Sequence, residues 1–549
     1  MQHLSRRGLI AAGFALSGFA PASRIVPELV LHNGRVWTVD PLQPEAQAIA
    51  IAGGRILAVG SDADVLAMAG PSTRKLDLGG KRVTPGFNDA HAHPCESGVQ
   101  HLRQVACDKA SIAEIQSALR ERAARTAPGQ WVMGFLYDDG KTPRPLSRAD
   151  LDAAVPDRPV VVRHRGGHTI FVNSQALKAA GIDESTPNPP GGQYDRAEGR
   201  LTGRVADLAT DPIDKLTTYK PTRDDYREGA ALISRMFNKR GVTSACDALG
   251  FPDTLQGYQD ARDAGTLSMR VYCHVWHEAL PRLMEAGLHT GFGDERLRLG
   301  AVKLMADGSI SERSAWLKDA YLDMPGDYHG LQVQKREELV EFARKAHAGG
   351  WQIGVHANGD LAIDEVVGVF EQLQKEHPRP DPRFRLEHCT MVTPELVGRI
   401  KAVGALPITF GGYVYFHGDV MHFYGRERTE RMFAMKSFLD AGVKAASSSD
   451  YTASPSDPMM WIQSQTTRKG MDGQVWGASQ RIGRAQAVEC ATMNGAFASY
   501  EEALKGSLSA GKLADLVVWE QDMMAVPAEA LVEVQVQRAM VGGAWAYEA

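Results

Sequence analysis

The 549-residue chain predicts an α/β fold, a (β/α)8 TIM barrel with a small β-sandwich domain built from both chain ends. Three observations carry this prediction. Apolar, β-branched runs alternate with helical stretches through the middle of the chain, and repeated strand–helix units build a parallel sheet that closes as a barrel. From Ile25 to about Arg82, the runs LVLHNGRVWTV, AIAIAGGRILAVG and KLDLGGKRVTPG are broken by Asn-Gly and Gly-Gly, which is hairpin punctuation. Residues 505–549 return to that style in GKLADLVVWE and VQRAMVGGAWAYEA, so the two ends are expected to pair with each other.

In chain order, residues 1–22 come first. MQHLSRRGLIAAGFALSGFAPAS sets Ser5-Arg6-Arg7 before a short apolar segment and the small residues Ala20-Pro21-Ala22. That is the pattern of a twin-arginine signal peptide, with an ordinary secretory signal or an amphipathic start as the plainer readings. The expectation is an exported, periplasmic protein, carried folded by the twin-arginine export machinery after acquiring any metal in the cytoplasm. The sandwich is expected over 23–82 and 505–549, and the barrel over 83–504.

The barrel strands are read from VTPGFNDAHAH at 83, GVTSACDA at 241, MRVYCHVW at 269, LRLGAVKLMADG at 297, GWQIGVHANGD at 350, RFRLEHC at 383, GALPITF at 404 and VKAASSSD at 443. Between them, stretches such as REELVEFARKAHAGG at 336–350 carry a helical period and close on glycine. Residues about 100–230 are too long for a simple strand-to-helix loop and form an insertion.

Composition limits the function. The 44% hydrophobic and 23% charged content is that of a globular protein. Its 61 basic and 66 acidic residues give −5 with no basic stripe, which argues against nucleic acid. Beyond the first 25 residues no apolar run approaches the roughly 18 needed to span a bilayer. The partners expected are a small-molecule substrate and the export machinery, and a homodimer stays open. The cysteines Cys95, Cys107, Cys246, Cys273, Cys389 and Cys490 include no CxxC pair, which excludes a zinc ribbon. Most read as buried thiols; a Cys95–Cys107 disulfide is left open.

Polar residues end several of the predicted strands. His91 and His93 lie at i and i+2, on one side of a strand, where both imidazoles can reach one ion. Lys303, His356, His388 and Asp450 each close a later apolar run, at the barrel end where chemistry gathers. Singly, each has an ordinary reading: a snorkelling lysine, satisfied core histidines, a helix N-cap after Ser447-Ser448-Ser449. Together, in successive strands, they make a site.

With these residues in place, the chain resembles the amidohydrolase superfamily, in the amidohydrolase-3 branch that includes N-substituted formamide deformylases. The resemblance runs through VTPGFNDAHAH, RHRGGHTIFVNSQAL, VKLMADGS, GWQIGVHANGD, RLEHC, SSSDYTASPSDP, ECATMNGA and GSLSAGKLADLVVWE. It implies His91 and His93 as ligands of a deeper metal ion and His356 and His388 as ligands of a second. It further implies Lys303 as a bridge, Asp450 as both ligand and general base, and hydrolysis of a non-peptide carbon–nitrogen bond. A lysine bridges cations only as its CO2-derived carbamate, N6-carboxylysine, because an ammonium repels them. Imidazole and carboxylate donors suit two zinc ions best, with manganese or iron as alternatives.

Within the insertion, Arg163, His164 and His168 are candidate substrate contacts, as are Tyr413 and His417, with Tyr415 and His422, in ITFGGYVYFHGDVMHFYG at 408–425. Asp307 and Glu312 are candidates for orienting Lys303, with capping or exposure as the alternative. The chain departs from the family at Ser448-Ser449-Asp450, where Gly-Ser-Asp is usual, and in lacking the Gln-Pro often found in the stretch 408–425. Both differences bear on the substrate and leave the ligand set whole. A deaminase, lactonase or decarboxylase remains open on the same metal site. A noncatalytic scaffold is disfavoured because all six ligand positions are filled.

Overall fold

The structure, a computed structural model, describes residues 25–549 except 128, 166–168, 190–191, 218–219 and 325. The proposed signal segment, 1–22, lies outside the described residues. Eight parallel strands form the barrel: β1 (Phe87–Ala92), β2 (Val242–Gly250), β3 (Arg270–Trp276), β4 (Leu297–Met305), β5 (Ile353–Ala357), β6 (Arg385–His388), β7 (Leu406–Phe410) and β8 (Ala446–Ser448). They neighbour one another in chain order. The ring closes where the Asp450 amide donates to the His91 carbonyl at 2.8 Å, bringing the end of β8 to β1. Every residue of β1 and of β7 is buried, as expected for strands covered on both faces.

The helices bury the stripes their periodicity predicts. On Arg336–Ala348 the buried residues are Leu339, Ala343, Ala346 and His347. On Asp360–Glu376 they include Ile363, Val366, Val367, Phe370 and Leu373, and Phe370 stacks on Phe384 with ring centroids 4.4 Å apart. Pro394–Val403 shows why a helix starts and stops. Thr393 Oγ1 accepts from the Leu396 amide at 3.2 Å, Pro394 opens the first turn, and Gly404 ends it at φ +68°.

The two chain ends meet in the sandwich. One sheet holds Leu29–His32, Ala48–Ala52, Arg55–Gly60 and Arg74–Asp77. In the other, Leu516–Trp519 lies antiparallel between Arg82–Pro85 and Val536–Val541. Leu31, Ile49, Ile51, Leu516, Val518 and Met540 share the core between them. Arg82–Pro85 runs into β1 through Gly86, where a Cβ would lie 2.1 Å from Thr243 Oγ1. Any larger residue there would separate sandwich from barrel.

The insertion between β1 and β2 builds a six-stranded sheet of its own, beyond the covering segment expected from sequence. Along Val160–His164, Val160 and Val162 enter one core and Val161 the other, the strict alternation of a sheet buried on both faces. Cys95 belongs to the barrel core and Cys107 to an insertion core. Both are free thiols, which corrects the disulfide option: residues close in sequence fold into separate layers. Among the described residues no helix is long and apolar enough to cross a membrane.

Barrel and sandwich are joined by a buried ion pair. Arg270, opening β3, donates to Asp515 through Nε at 2.6 Å and Nη2 at 2.9 Å, with 5% and 4% of the two side chains exposed. Removing one partner strands a buried charge. Asp515→Ala or Arg270→Met is therefore expected to cost about 3–5 kcal/mol. The Arg270→Met/Asp515→Leu double variant should cost less than either, read from urea midpoints.

Candidate metal centre

The predicted ligands converge at the C-terminal end of the barrel. His91 and His93 turn their Nε2 atoms toward Asp450 Oδ1, at 3.5 and 3.1 Å. Lys303 Nζ lies 3.5 Å from His91 Nε2. The His388 ring centroid is 4.6 Å from that of His91 and 4.4 Å from that of His356. Potential ligand atoms of His91, His93 and Asp450 lie within 4.8 Å of one another. The set suits cations: burial pushes the imidazoles of His91 and His388 well below their usual range and His356 to about 4, so all three are neutral at neutral pH. His93 and His388 also have buried Nδ1 atoms with no hydrogen-bond partner. Burial lowers the Lys303 ammonium as well, easing access to the neutral amine.

Three buried carboxylates that the sequence reading left without these roles fix this geometry. Glu387 Oε2 accepts from His91 Nδ1 at 2.6 Å, and its Oε1 accepts from Arg385 Nε at 2.6 Å. With its proton held on Nδ1, His91 keeps a lone pair on Nε2 for an ion. Burial raises the Glu387 carboxyl, but Arg385 together with His274 and Lys303 more than offsets it and keeps Glu387 ionised, at about 2. Glu387 and His388 are consecutive, yet both meet His91, which a regular strand forbids. The left-handed conformation of His388, φ +73°, breaks the alternation.

Asp89 accepts from the Ser449 amide at 2.9 Å and Ser456 Oγ at 2.7 Å, fixing the turn that presents Asp450. Asp307 accepts from the amides of Trp316 (2.9 Å), Asn358 (2.9 Å) and Gly359 (2.8 Å). It pins the loop after His356 and does not orient Lys303, because the chain has left β4 by that point; the capping alternative describes it. Burial pushes Asp89 to about 6 and Asp307 to about 7.

Above the ligands is a chamber of about 200 Å³ lined by His356, His388, Phe410, Tyr413, His417 and Asp450, among others. Arg165, Ser311, Glu312 and His417 also line an outer cavity of about 400 Å³, so the two adjoin. His164 lines the outer cavity and pairs with Asp139 at 3.3 Å. Arg163 does not line either: it is paired with Asp214, and its neighbour two residues on, Arg165, takes the wall. This corrects the choice of Arg163. His168 lies outside the described residues. Tyr413 and His417 line the chamber, whereas His422 is exposed and Tyr415 borders neither cavity. Glu312 sits in the shared wall.

Fold and site together define a metal-dependent hydrolase, and comparison with known proteins agrees. The model of the amidohydrolase family matches residues 74–547. The chain is 30% identical over 537 residues to the putative amidohydrolase YtcJ of Bacillus subtilis, covering 94% of this chain and 99% of that one. It is 28% identical over 544 residues to the N-substituted formamide deformylase of Arthrobacter pascens, covering 95% and 98%. The crystal structure of an uncharacterized metal-dependent hydrolase from Pyrococcus horikoshii superposes with a TM-score of 0.74 at 25% identity, covering 91% and 99%. The chain belongs to the amidohydrolase family.

Because Glu387 sets the proton on His91, Glu387→Gln should weaken metal binding about 10-fold or more, as for other groups that orient a ligand histidine, and should also lower stability, since it strands the buried charge of Arg385. Competition with a chromophoric chelator measures it, with circular dichroism as the fold control.

Proposed function

We propose that the protein hydrolyses a non-peptide carbon–nitrogen bond in a small N-acyl, formamide or cyclic amide compound. The observation that carries this reading is the convergence of four histidines, Lys303 and Asp450 from five strand ends beneath a chamber at the end of the barrel. His91, His93 and Asp450 would hold a deeper divalent ion, and His356 and His388 a second. Lys303 would bridge them once its neutral amine nitrogen has bonded to the carbon of CO2 and released a proton, giving a carbamate. Zinc is the ion these donors suit best. Such ions supply a nucleophile at neutral pH by lowering the pKa of water toward about 7, and they polarise a carbonyl.

The side chains do the rest. Asp450 directs Oδ1 at His91 and His93, which leaves Oδ2 to take the proton of the attacking water and pass it to the departing nitrogen. Phe410, stacked on His388 at 4.5 Å, closes one side of the chamber against water. A carbonyl fits the chamber and the nitrogen substituent the outer cavity, within the size range of small-molecule sites. The similarity to the Arthrobacter deformylase over nearly the whole chain supports this class.

Elemental analysis should find near two metal ions per chain, with peptide mass showing CO2 added at Lys303. N-formyl and N-acetyl derivatives of alkyl and aryl amines should yield free amine plus carboxylate. Release of ammonia would point to a deaminase instead, and turnover without metal would sink the mechanism. His91→Ala and His356→Ala should lose metal. Asp450→Asn should retain at least one ion while kcat falls about 10²–10⁴-fold, the range for a general acid–base.

The proposal includes export through the Arg6-Arg7 pair. Replacing both with lysine should leave the enzyme in the cytoplasm, as shown by fractionation and N-terminal sequencing; processing near Ser23 in that variant would count against the twin-arginine route.

A further inference from the structure

Tyr413 begins the short helix Tyr413–Phe416 immediately beyond β7, and only 3% of it is exposed. Its ring is held between Phe410, with centroids 4.8 Å apart, and Phe433, stacked at 5.0 Å and 26°, with His417 at 4.7 Å. A ring packed on three sides has little freedom to aim its hydroxyl elsewhere. That hydroxyl is buried beside Ser311, which interacts with its oxygen, and its own hydrogen meets no acceptor within hydrogen-bonding distance among the described residues. Buried hydroxyls are ordinarily satisfied, and leaving one unpaired is a cost the fold must bear.

The other donors around the chamber are committed. His417 Nε2 bonds the Ala453 carbonyl at 2.9 Å. The Asn358 amide donates to the Gly308 carbonyl at 2.8 Å, and its oxygen accepts from Thr390. Ser309 and Ser311 share a bond of 3.2 Å. Arg165 lies between Asp108 and Asp138, 3.3 Å from each. Tyr413 is the one among these groups whose polar atom has neither a hydrogen-bond nor an ion-pair partner within bonding distance, and it lines the space shared with His356, His388 and Asp450.

We propose that the Tyr413 hydroxyl donates a hydrogen bond to the carbonyl oxygen of the bond being cleaved, and holds it as negative charge develops there. Tyr413 itself transfers no proton: as the water oxygen bonds to the carbonyl carbon its proton passes to Asp450, the π electrons move to the carbonyl oxygen, and Tyr413 O–H points at that oxygen throughout. Burial pushes the phenol above its usual range, so it remains a donor across the neutral and alkaline range. Donors fixed in advance in a water-poor chamber are the strongest kind of transition-state support.

The inference rests on the amide-hydrolase reading but is tested apart from it. Metal-loaded wild-type and Tyr413→Phe proteins are titrated calorimetrically with methylphosphonate, a tetrahedral anion. Binding should weaken by about 10-fold or more in the variant, one charge-assisted hydrogen bond being lost. Metal content should be unchanged, and the thermal midpoint of the unliganded variant equal or higher, since an unpaired hydroxyl has been removed. A hydroxyl with a merely structural role would lower that midpoint. Where an N-acyl amine is turned over, kcat should fall about 10²–10³-fold with KM little changed. Equal methylphosphonate affinity in the two proteins, or binding to neither, overturns the inference, as does a larger loss in Ser311→Ala than in Tyr413→Phe. A wild type that binds methylphosphonate in the expected pattern yet hydrolyses no amide would retire the substrate class and leave Tyr413 as the oxyanion donor.

Discussion

The site depends on a charged chain in the barrel bore, running from Arg385 through Glu387 to His91. All three side chains are essentially inaccessible. Isolated, either charge would be prohibitively expensive to bury, and the pair is tolerable only because its hydrogen-bonding capacity is nearly used up. Glu387 spends one oxygen on Arg385 and the other on His91. Arg385 Nη2 reaches the Ala90 carbonyl at 2.6 Å, so the same guanidinium that ionises Glu387 also clamps the backbone of β1 beside His91. One interaction thereby sets the tautomer of a ligand, its direction, and the relative position of β1 and β6.

The remaining ligands are placed by a second use of buried carboxylates. Asp89 and Asp307 bond backbone amides and hydroxyls, and among the described residues no Lys or Arg lies within ion-pair distance of either, while the neutral ring of His356 is 3.6 Å from Asp307. The turns at the candidate ligands hold conformations that cost energy: His388, Cys389 and Asp450 all have left-handed backbone, at φ +73°, +44° and +52°. Non-glycine residues in that region typically cost about 1–3 kcal/mol each and persist where surrounding bonds over-determine them. Candidate ligands presented in this way arrive already aimed, at the expense of strain held by the barrel.

This division explains what the sequence made legible. Each ligand ends an apolar run, so strand position and ligand position were readable from the same pattern. The paired chain ends were readable from Asn-Gly and Gly-Gly turns. Glu387 was hidden because a charged residue in a short strand reads as a break in burial, and its partner Arg385 becomes a neighbour only in the folded bore. Arg163 and Arg165 show the complementary difficulty. Both belong to one polar stretch, and what separates them is the folded surroundings: Arg163 pairs with Asp214, while Arg165, just past the end of the insertion strand Val160–His164, lies in the cavity wall; the pairing of that strand with Val132–Tyr137 also shifts between Gly134 and Tyr137. Such a shift leaves no mark in composition. Asp307 was visible as an acid near Lys303, but its partners, the amides of Trp316, Asn358 and Gly359, come from segments brought together only by folding.

The cavity walls come from elements other than those that hold the ligands. Arg165 and Phe171 belong to the insertion, Ser311 and Glu312 to the excursion after β4, and Tyr413, His417 and Phe423 to the one after β7. Substrate choice can therefore change without disturbing the strand ends. The charges of the outer cavity point in one direction. Arg204 is paired with Asp195 at 2.9 Å, and Arg313 with Asp323 at 2.7 Å while lying over Phe423 at 3.5 Å. Arg165 is matched by Asp108 and Asp138, whereas Asp419, on the same wall, has no cation within ion-pair distance among the described residues. Burial and the charge of Asp138 raise the Asp419 carboxyl, the mark of an acid short of positive neighbours. A substituent entering this space meets arginines already neutralised and an acid that is not. The wall thus favours a neutral or cationic substituent over an anionic one.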